Sequence, residues 1–342
     1  MNRVGIIGHF GYGLNLSNGQ TIKTEIITAG VENHCGEKAM TIDAHGGIKA
    51  VIPVVFGAIK ALKSCNNVIV MLTENGLKVC VPILTAFNRF YGRKLHYVVV
   101  GGWLPEFIAP RKLLREKLKK FDCIYVETGN MGKALEKMGF SNVVTMPNCK
   151  PLHIIDEPFG YGMPYKLCTF SRVMKEKGIE DAVEAVKYVN SAKKETVFAL
   201  DIFGQVDHNQ TEWFNDLKKT FPDYVKYRGV APSDRSSEIL KDYFFLLFPT
   251  YYYGEGFAGT VIDAFSAGVP VIASKWKYNE EIVHDGVNGL VFEAKNRQSL
   301  IEKLEMLIAN PKLRDEMHKR CMEEAKQYQP EIVLQTLFGN LV

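Results

Sequence analysis

The stretch PTYYYGEGFAGTVIDAFSAGVPVIAS, Pro249 to Ser274, decides how this chain is read. The apolar run Tyr243–Phe248 before it reads as a buried strand, Pro249 ends that strand, and Phe257–Ala267 has helical spacing up to Gly268 and Pro270. A glycine-rich loop therefore opens a helix. Amides at Ala258, Gly259 and Thr260 are expected to lack intrahelical acceptors, and together with the helix dipole they favour an anion such as a diphosphate. Glycine lets a phosphate approach the backbone. Two carboxylates flank the helix start, Glu255 and Asp263. Eight residues of helix would rise about 12 Å, enough to set one acid on each side of a diphosphate, and carboxylates suit sugar hydroxyls. Taken singly, each carboxylate is better read as ordinary, Glu255 as a solvated capping residue and Asp263 as part of an outer helix face; the combination with residues elsewhere shifts the balance.

The chain has 342 residues, 46% hydrophobic and 23% charged, an ordinary soluble composition long enough for two domains with separate cores. No apolar run reaches the ~18 residues of a membrane span. The start, MNRVGIIGHF, reads as a strand entering a loop and not as a signal peptide, so a cytoplasmic location is expected. Seven cysteines without CxxC spacing argue for reduced thiols and against zinc or disulfides. Charge is uneven: residues 1–150 carry 19 Lys and Arg against 10 Asp and Glu, and residues 151–342 carry 23 against 28. Much of the excess lies in RKLLREKLKK, Arg111–Lys120, where Leu113, Leu114 and Leu118 are spaced for one helix face. Such a segment fits peripheral contact with an anionic membrane or, equally, a solvated helix packed by its leucines. No nucleic-acid module accompanies the charge.

Strand-like runs at Val4–Gly8, Ala39–Asp43, Val68–Leu72, Leu95–Val100, Cys123–Glu127 and Val143–Met146 alternate with helical stretches such as Ile48–Leu62 and Leu77–Phe90. The alternation resumes at Lys166–Phe170, Phe198–Phe203, Val225–Tyr227, Tyr243–Phe248 and Val269–Ala273, after a Pro- and Gly-rich linker, Pro147–Pro164. The expected architecture is α/β, with two Rossmann-like domains of parallel sheet facing a cleft. Residues 1–150 are expected to form the first domain, 151–327 the second, and 328–342 a C-terminal helix that could return to the first.

Other segments add chemistry. In GHFGYGLNLSNGQTIKT the glycines, Gly11 and Gly13 among them, are spaced GxxGxG and not GxGxxG, and Asp43 lies too far on for a dinucleotide site. They make either a long turn or a wall near donor phosphates or acceptor. Arg172 and Lys177, in the loop after YKLCTF, could clamp a diphosphate without a metal, although an Arg and a Lys in an exposed loop, taken alone, are usually solvated. DIFGQ places Gly204 after a strand, and YRGVAP places Gly229 and Val230 where backbone groups could meet a nucleobase; both segments read equally as turns. His9, His45 and His96 lie near strand ends of the first domain without metal spacing, and no GxSxG elbow is present.

Taken in order, FSRVMKEKG, DIFGQ, YRGV, LFPTYYYGEGFAGTVIDAFSAGVPVIAS and NEEIVHDGVNGLVF resemble the C-terminal domain of the family-4 (group 1) retaining glycosyltransferases of the GT-B fold. The resemblance is specific over about residues 165–292 and is nearest to the bacterial capsule, exopolysaccharide and O-antigen (lipopolysaccharide) branch. It implies that Arg172 and Lys177 hold the donor diphosphate and that Glu255 binds the donor sugar. Gly256 and Phe257 would offer backbone groups to the sugar, Gly259 and Thr260 would offer N–H groups to the phosphate, Val230 would border the base and Asp263 would meet the ribose. Glu281 matches a family position of uncertain role. Two departures stand out. The usual E(x7)E is E(x7)D here, and the family's histidine after the strand Leu95–Val100 is replaced by GGWLPEF, with Gly101, Gly102 and Trp103 supplying no imidazole. Glu106, or Glu74 and Asn75 after the preceding strand, are the candidates to face the cleft in its stead.

The expected activity is metal-independent, retaining transfer of a sugar from a nucleoside diphosphate donor, UDP or GDP, to a glycan or lipid-linked acceptor, with no cofactor and with Glu255, Lys177 and Arg172 in the catalytic roles. Its rivals are a nucleotide-sugar epimerase of the same architecture and a noncatalytic nucleotide-sugar-binding protein.

Overall fold

The computed structural model describes residues 3–14, 18–152, 154–155 and 160–341. Parts of the glycine-rich loop (15–17) and of the linker (153 and 156–159) lie outside the described residues. The chain divides into two compact units, Met1–Pro151 with Tyr328–Val342, and Leu152–Gln327.

The first unit is built on β1 (Val4–Gly8), β2 (Met40–Asp43), β3 (Asn67–Val70), β4 (Lys94–Val98), β5 (Cys123–Val126) and β6 (Val143–Thr145). They form one parallel sheet in the order β2-β1-β3-β4-β5-β6. The second unit holds β7 (Tyr165–Phe170), β8 (Phe198–Phe203), β9 (Val225–Gly229), β10 (Phe245–Phe248), β11 (Val271–Lys275) and β12 (Gly289–Glu293), parallel in the order β12-β11-β10-β7-β8-β9. Segments such as VGIIG, NVIV, CIYV and FLLF are buried along their whole length. Continuous apolar runs of this kind belong to sheets covered by helices on both faces. Strand β12 was not read from the sequence, because Gly289 breaks its apolar run. That glycine is required: a Cβ there would lie 2.2 Å from the Val271 carbonyl oxygen, the neighbouring β11 backbone.

The last helices, Pro330–Val333 and Gln335–Phe338, belong to the first unit and lie on the helix Gly19–Cys35. Gly30 leaves room for Leu334, and His34 stacks on Phe338 with ring centres 4.3 Å apart. The same long helix carries Lys23, whose ammonium donates to the Val99 carbonyl and pairs with Glu127, both side chains 3% exposed. A buried pair of this kind is weak as a source of stability but costly to break from one side. Among the described residues no helix is long and apolar enough to cross a membrane.

One expectation about the basic segment is corrected. The helix Lys112–Leu118 buries Leu114 and Leu118, whereas Leu113 is 80% exposed. Positions four apart share a helix face, and a residue next to one of them is turned about 100° away.

Candidate functional site

In the second unit the chain leaves β7 towards β8 and β9 on one side, and leaves β10 towards β11 and β12 on the other. Strands β7 and β10 are neighbours, so the strand order reverses between them, and ligands of open α/β sheets bind beyond the carboxyl ends at such a point. The loops after these two strands carry the GEGF stretch and the Arg172–Lys177 segment.

The two loops are held against each other by backbone. Gly178, at φ 69°, follows Lys177, and a Cβ there would sit 2.2 Å from the Pro249 carbonyl oxygen. The Tyr251 amide donates to the Glu176 carbonyl at 2.7 Å. Across this seam Lys177 Nζ meets Glu255 Oε2 at 2.6 Å, with side chains 13% and 8% exposed. Thr250 Oγ1 donates to the same Oε2 at 2.7 Å. Glu255 Oε1 takes no hydrogen bond from the described residues. The ammonium also lies over the Tyr252 and Phe248 rings, 5.1 and 5.9 Å from their centres, which adds a cation–π attraction. Thr250 is held by Ser274 Oγ, which donates to its carbonyl, and Trp276 Nε1 donates to the Tyr252 carbonyl at 2.8 Å. The result is a nearly dry cation and carboxylate with fixed positions.

Beside Glu255 the chain passes through Gly256 and Phe257, both buried, into the helix Gly259–Ser266. Its N-cap, Ala258, has no side-chain cap, and the amides of Ala258, Gly259 and Thr260 make no hydrogen bond among the described residues. The Thr260 hydroxyl is buried and likewise without a partner. Unsatisfied donors gathered at a helix start make an anion site. The helix begins two residues later than its sequence pattern suggests. Only the stretch from 259 to 263 separates Asp263 from the helix start, a rise of about 6 Å and not 12 Å. Asp263 does not stand on an outer face: it is buried, 5% exposed, within the run Val261–Ser266.

Arg172 is placed differently from Lys177. It is 52% exposed and its Nη1 lies 3.6 Å from Asp207 Oδ2, on the loop after β8. Gly204, at φ 134°, makes that approach geometrically feasible, since a Cβ would come within 1.8 Å of the Ser171 carbonyl oxygen. The Gly204 amide donates to the Gly229 carbonyl, and Tyr227 Oη donates to the Gly204 carbonyl, joining the loop after β8 to strand β9. Val230, next in line, is 59% exposed. Glu281 ends the short 3-10 turn Asn279–Glu281 and is half-buried. Sequence reading missed Thr250, Asp207 and Ser274. Only the place of Thr250, directly after the strand-ending Pro249, could have signalled one of them.

Gly11 and Gly13, both in the left-handed region at φ 61° and 81°, belong to the first unit. Their loop closes on Asp43 at the end of β2: Phe10 and Tyr12 amides donate to its two carboxyl oxygens at 3.0 and 3.2 Å, and the His45 amide at 2.8 Å. Burial pushes this carboxyl up, but the N–H groups of His45, Phe10, Gly11 and Tyr12 outweigh it and hold it below the usual range. These amides therefore face an internal carboxylate. His9 bridges Thr21 Oγ1 (2.9 Å) and His45 Nδ1 (2.8 Å), and burial first, then His45, keep its imidazole below its ordinary pKa. His96 is fully buried within β4, its Nε2 3.2 Å from Asn67 Oδ1. Trp103 is buried with its indole N–H on the Val100 carbonyl, Glu106 is exposed, and Glu74 and Asn75 open the helix Glu74–Tyr91.

Comparison with known proteins bears on the fold. Against Anabaena Alr3699/HepE, solved in complex with UDP, the chain aligns over 99% of both chains with a TM-score of 0.76 at 13% identity. Against the pneumococcal O-GlcNAc transferase GtfA, solved with UDP and GlcNAc, the TM-score is 0.65 at 20% identity, over 83% of this chain and 58% of that one. These likenesses, with two parallel six-stranded Rossmann-like sheets, place the fold as GT-B, as the sequence led us to expect. In sequence, the Campylobacter jejuni N,N'-diacetylbacillosaminyl-diphospho-undecaprenol alpha-1,3-N-acetylgalactosaminyltransferase is 32% identical over 111 residues, 32% of this chain and 28% of that protein. An uncharacterized glycosyltransferase of Methanocaldococcus jannaschii is 27% identical over 154 residues, 45% of this chain and 41% of that protein. The matches span less than half the length of either curated relative. Residues 154–327, about half of the chain, match the family described as Glycosyl transferases group 1, and the chain belongs to that family.

Proposed function

We propose that the protein transfers a sugar from a nucleoside diphosphate sugar to an acceptor hydroxyl, with the donor bound in the second unit at the β7/β10 switch. The observation that carries this reading is the near-dry Lys177–Glu255 pair beside the uncapped helix start. Lys177 and the amides of Ala258, Gly259 and Thr260 would meet the diphosphate, and Glu255 Oε1 would accept from donor-sugar hydroxyls. Arg172 would reach the phosphates by giving up its long contact with Asp207. Asp263, short by one methylene and buried, would approach the ribose, with Val230 and Gly204 bordering the base. UDP is the expected nucleotide, because the structural neighbours above were solved with it.

In the step itself the bond between the anomeric carbon and the diphosphate oxygen breaks, with its electron pair leaving on the phosphate. The acceptor oxygen bonds to the same face of that carbon, which retains configuration, and its proton passes to the departing phosphate oxygen. Charge on the leaving group would be met by Lys177, Arg172 and the helix amides without a metal ion. Preorganised donors of this sort account for factors of about 10²–10³ each. A lipid-linked or oligosaccharide acceptor in bacterial surface polysaccharide assembly fits the resemblance of the GEGF segment, and the C. jejuni relative is named for a diphospho-undecaprenol substrate.

A thermal-shift panel of UDP, GDP, TDP and ADP sugars tests the donor. One nucleotide class should raise the melting temperature, by the equivalent of about 2.7 kcal/mol at a hundredfold excess over Kd. Turnover of that donor should then require an acceptor and vanish in Glu255→Ala. No shift with any donor would overturn the reading, donor isomerisation without acceptor would replace it with an epimerase, and binding without turnover would leave a noncatalytic binder.

A further inference from the structure

The outer layer of the first unit carries large apolar side chains turned to solvent. On the helix Val51–Ser64, Val54, Ala58, Ala61 and Leu62 are buried, while Ile52 and Phe56, one turn apart, are 67% and 71% exposed. Lys49, Lys60 and Lys63 continue that stripe at spacings of three and four, and all three are exposed. On the helix Glu74–Tyr91 the inward residues are Leu77, Cys80, Val81 and Leu84, and Phe90 is 84% exposed beside the exposed Arg89. Leu113 protrudes from the helix Lys112–Leu118 next to the exposed Lys112. The three helices are adjacent: the first packs on the second and the second on the third.

The charge around these side chains is one-sided. Residues 49–120, which span all three helices, hold 13 Lys and Arg against 3 Asp and Glu, so they account for the whole positive excess of the first unit's sheet-forming segment. Water offers an exposed Phe nothing, and protruding apolar groups ringed by cations have a fitting partner in a surface that is anionic above and apolar beneath. A second copy would set the same strong positive charge against itself, which opposes self-association through this face.

We propose that this face docks the protein on an anionic lipid bilayer, with Phe56, Phe90, Ile52 and Leu113 entering the boundary between headgroups and acyl chains. Lys60, Lys63 and Lys112 would lie at headgroup level. The site is separate from the nucleotide site of the second unit, so the two readings fail independently.

The experiment is co-sedimentation of the full chain with sucrose-loaded vesicles, of phosphatidylcholine alone or mixed with phosphatidylglycerol. Binding is expected only to the mixed vesicles and to fall as salt rises. Both Phe56→Ser/Phe90→Ser and Lys60→Glu/Lys63→Glu should weaken it by about tenfold or more. Their melting curves and donor-induced thermal shift should match the wild type, because the substituted side chains are exposed. No binding to phosphatidylglycerol vesicles would overturn the proposal, as would binding that neither variant weakens. So would a wild-type dimer that Phe56→Ser/Phe90→Ser converts to monomer, since that would assign the face to a second copy.

Discussion

Gly178 and Gly204 shape the site without a side chain. Each has positive φ, and each would drive a Cβ into a carbonyl oxygen of a neighbouring loop, Pro249 in one case and Ser171 in the other. Removing either glycine therefore disturbs the seam that sets Lys177 against Glu255, or the loop that carries Arg172. Gly204→Ala is expected to lower stability by more than about 2 kcal/mol, combining backbone strain with overpacking. The denaturant midpoint of the purified variant checks this, and an unchanged midpoint would mean that the loop relaxes freely. Gly256 was legible in the sequence as part of a loop opening a helix, whereas Phe257, whose spacing suggested a first helical residue, lies in that loop. The opposed placement of Arg172 and Lys177 was not, because a residue's partner across a sheet switch depends on strand order, which no local pattern encodes.

At the level of elements, most strands and helices could be read from apolar runs and their periodicity. The exceptions have physical causes. Strand β12 carries a glycine forced by its neighbour's backbone, and Leu113 looked like a core position until the helix phase was set by Leu114 and Leu118. The glycines after β1 resembled a phosphate cradle, yet the amides of Phe10 and Tyr12 in that loop donate to Asp43, a long-range pairing between strand ends. Strand β4 offers a test through His96. Its neutral imidazole can donate from Nε2 to Asn67, and burial pulls its pKa down from 6.5 to about 4. The unfolded chain binds a proton below pH 6.5 that the folded chain refuses until pH 4, so this group's contribution to stability is lost as pH falls across that window. The loss amounts to about 3 kcal/mol in full. Urea unfolding at a series of pH values should show this slope in the wild type and a shallower one in His96→Gln. Equal slopes would remove His96 as its source.

For the whole molecule, two Rossmann-like units divide the labour by charge as well as by sequence. The first concentrates cations and exposed aromatics on one helical layer, while the second, among the described residues, sets its most buried ion pair, Lys177–Glu255, at the switch point between β7 and β10. In the proposed donor site the Lys177 cation serves the diphosphate and the Glu255 carboxylate serves the sugar. Titration calorimetry of the nucleotide sugar and of its nucleoside diphosphate separates these roles. Lys177→Ala should weaken both ligands by about tenfold or more. Glu255→Ala should weaken the nucleotide sugar while leaving the nucleoside diphosphate nearly unchanged. Wild-type affinity for both ligands in both variants would contradict the account.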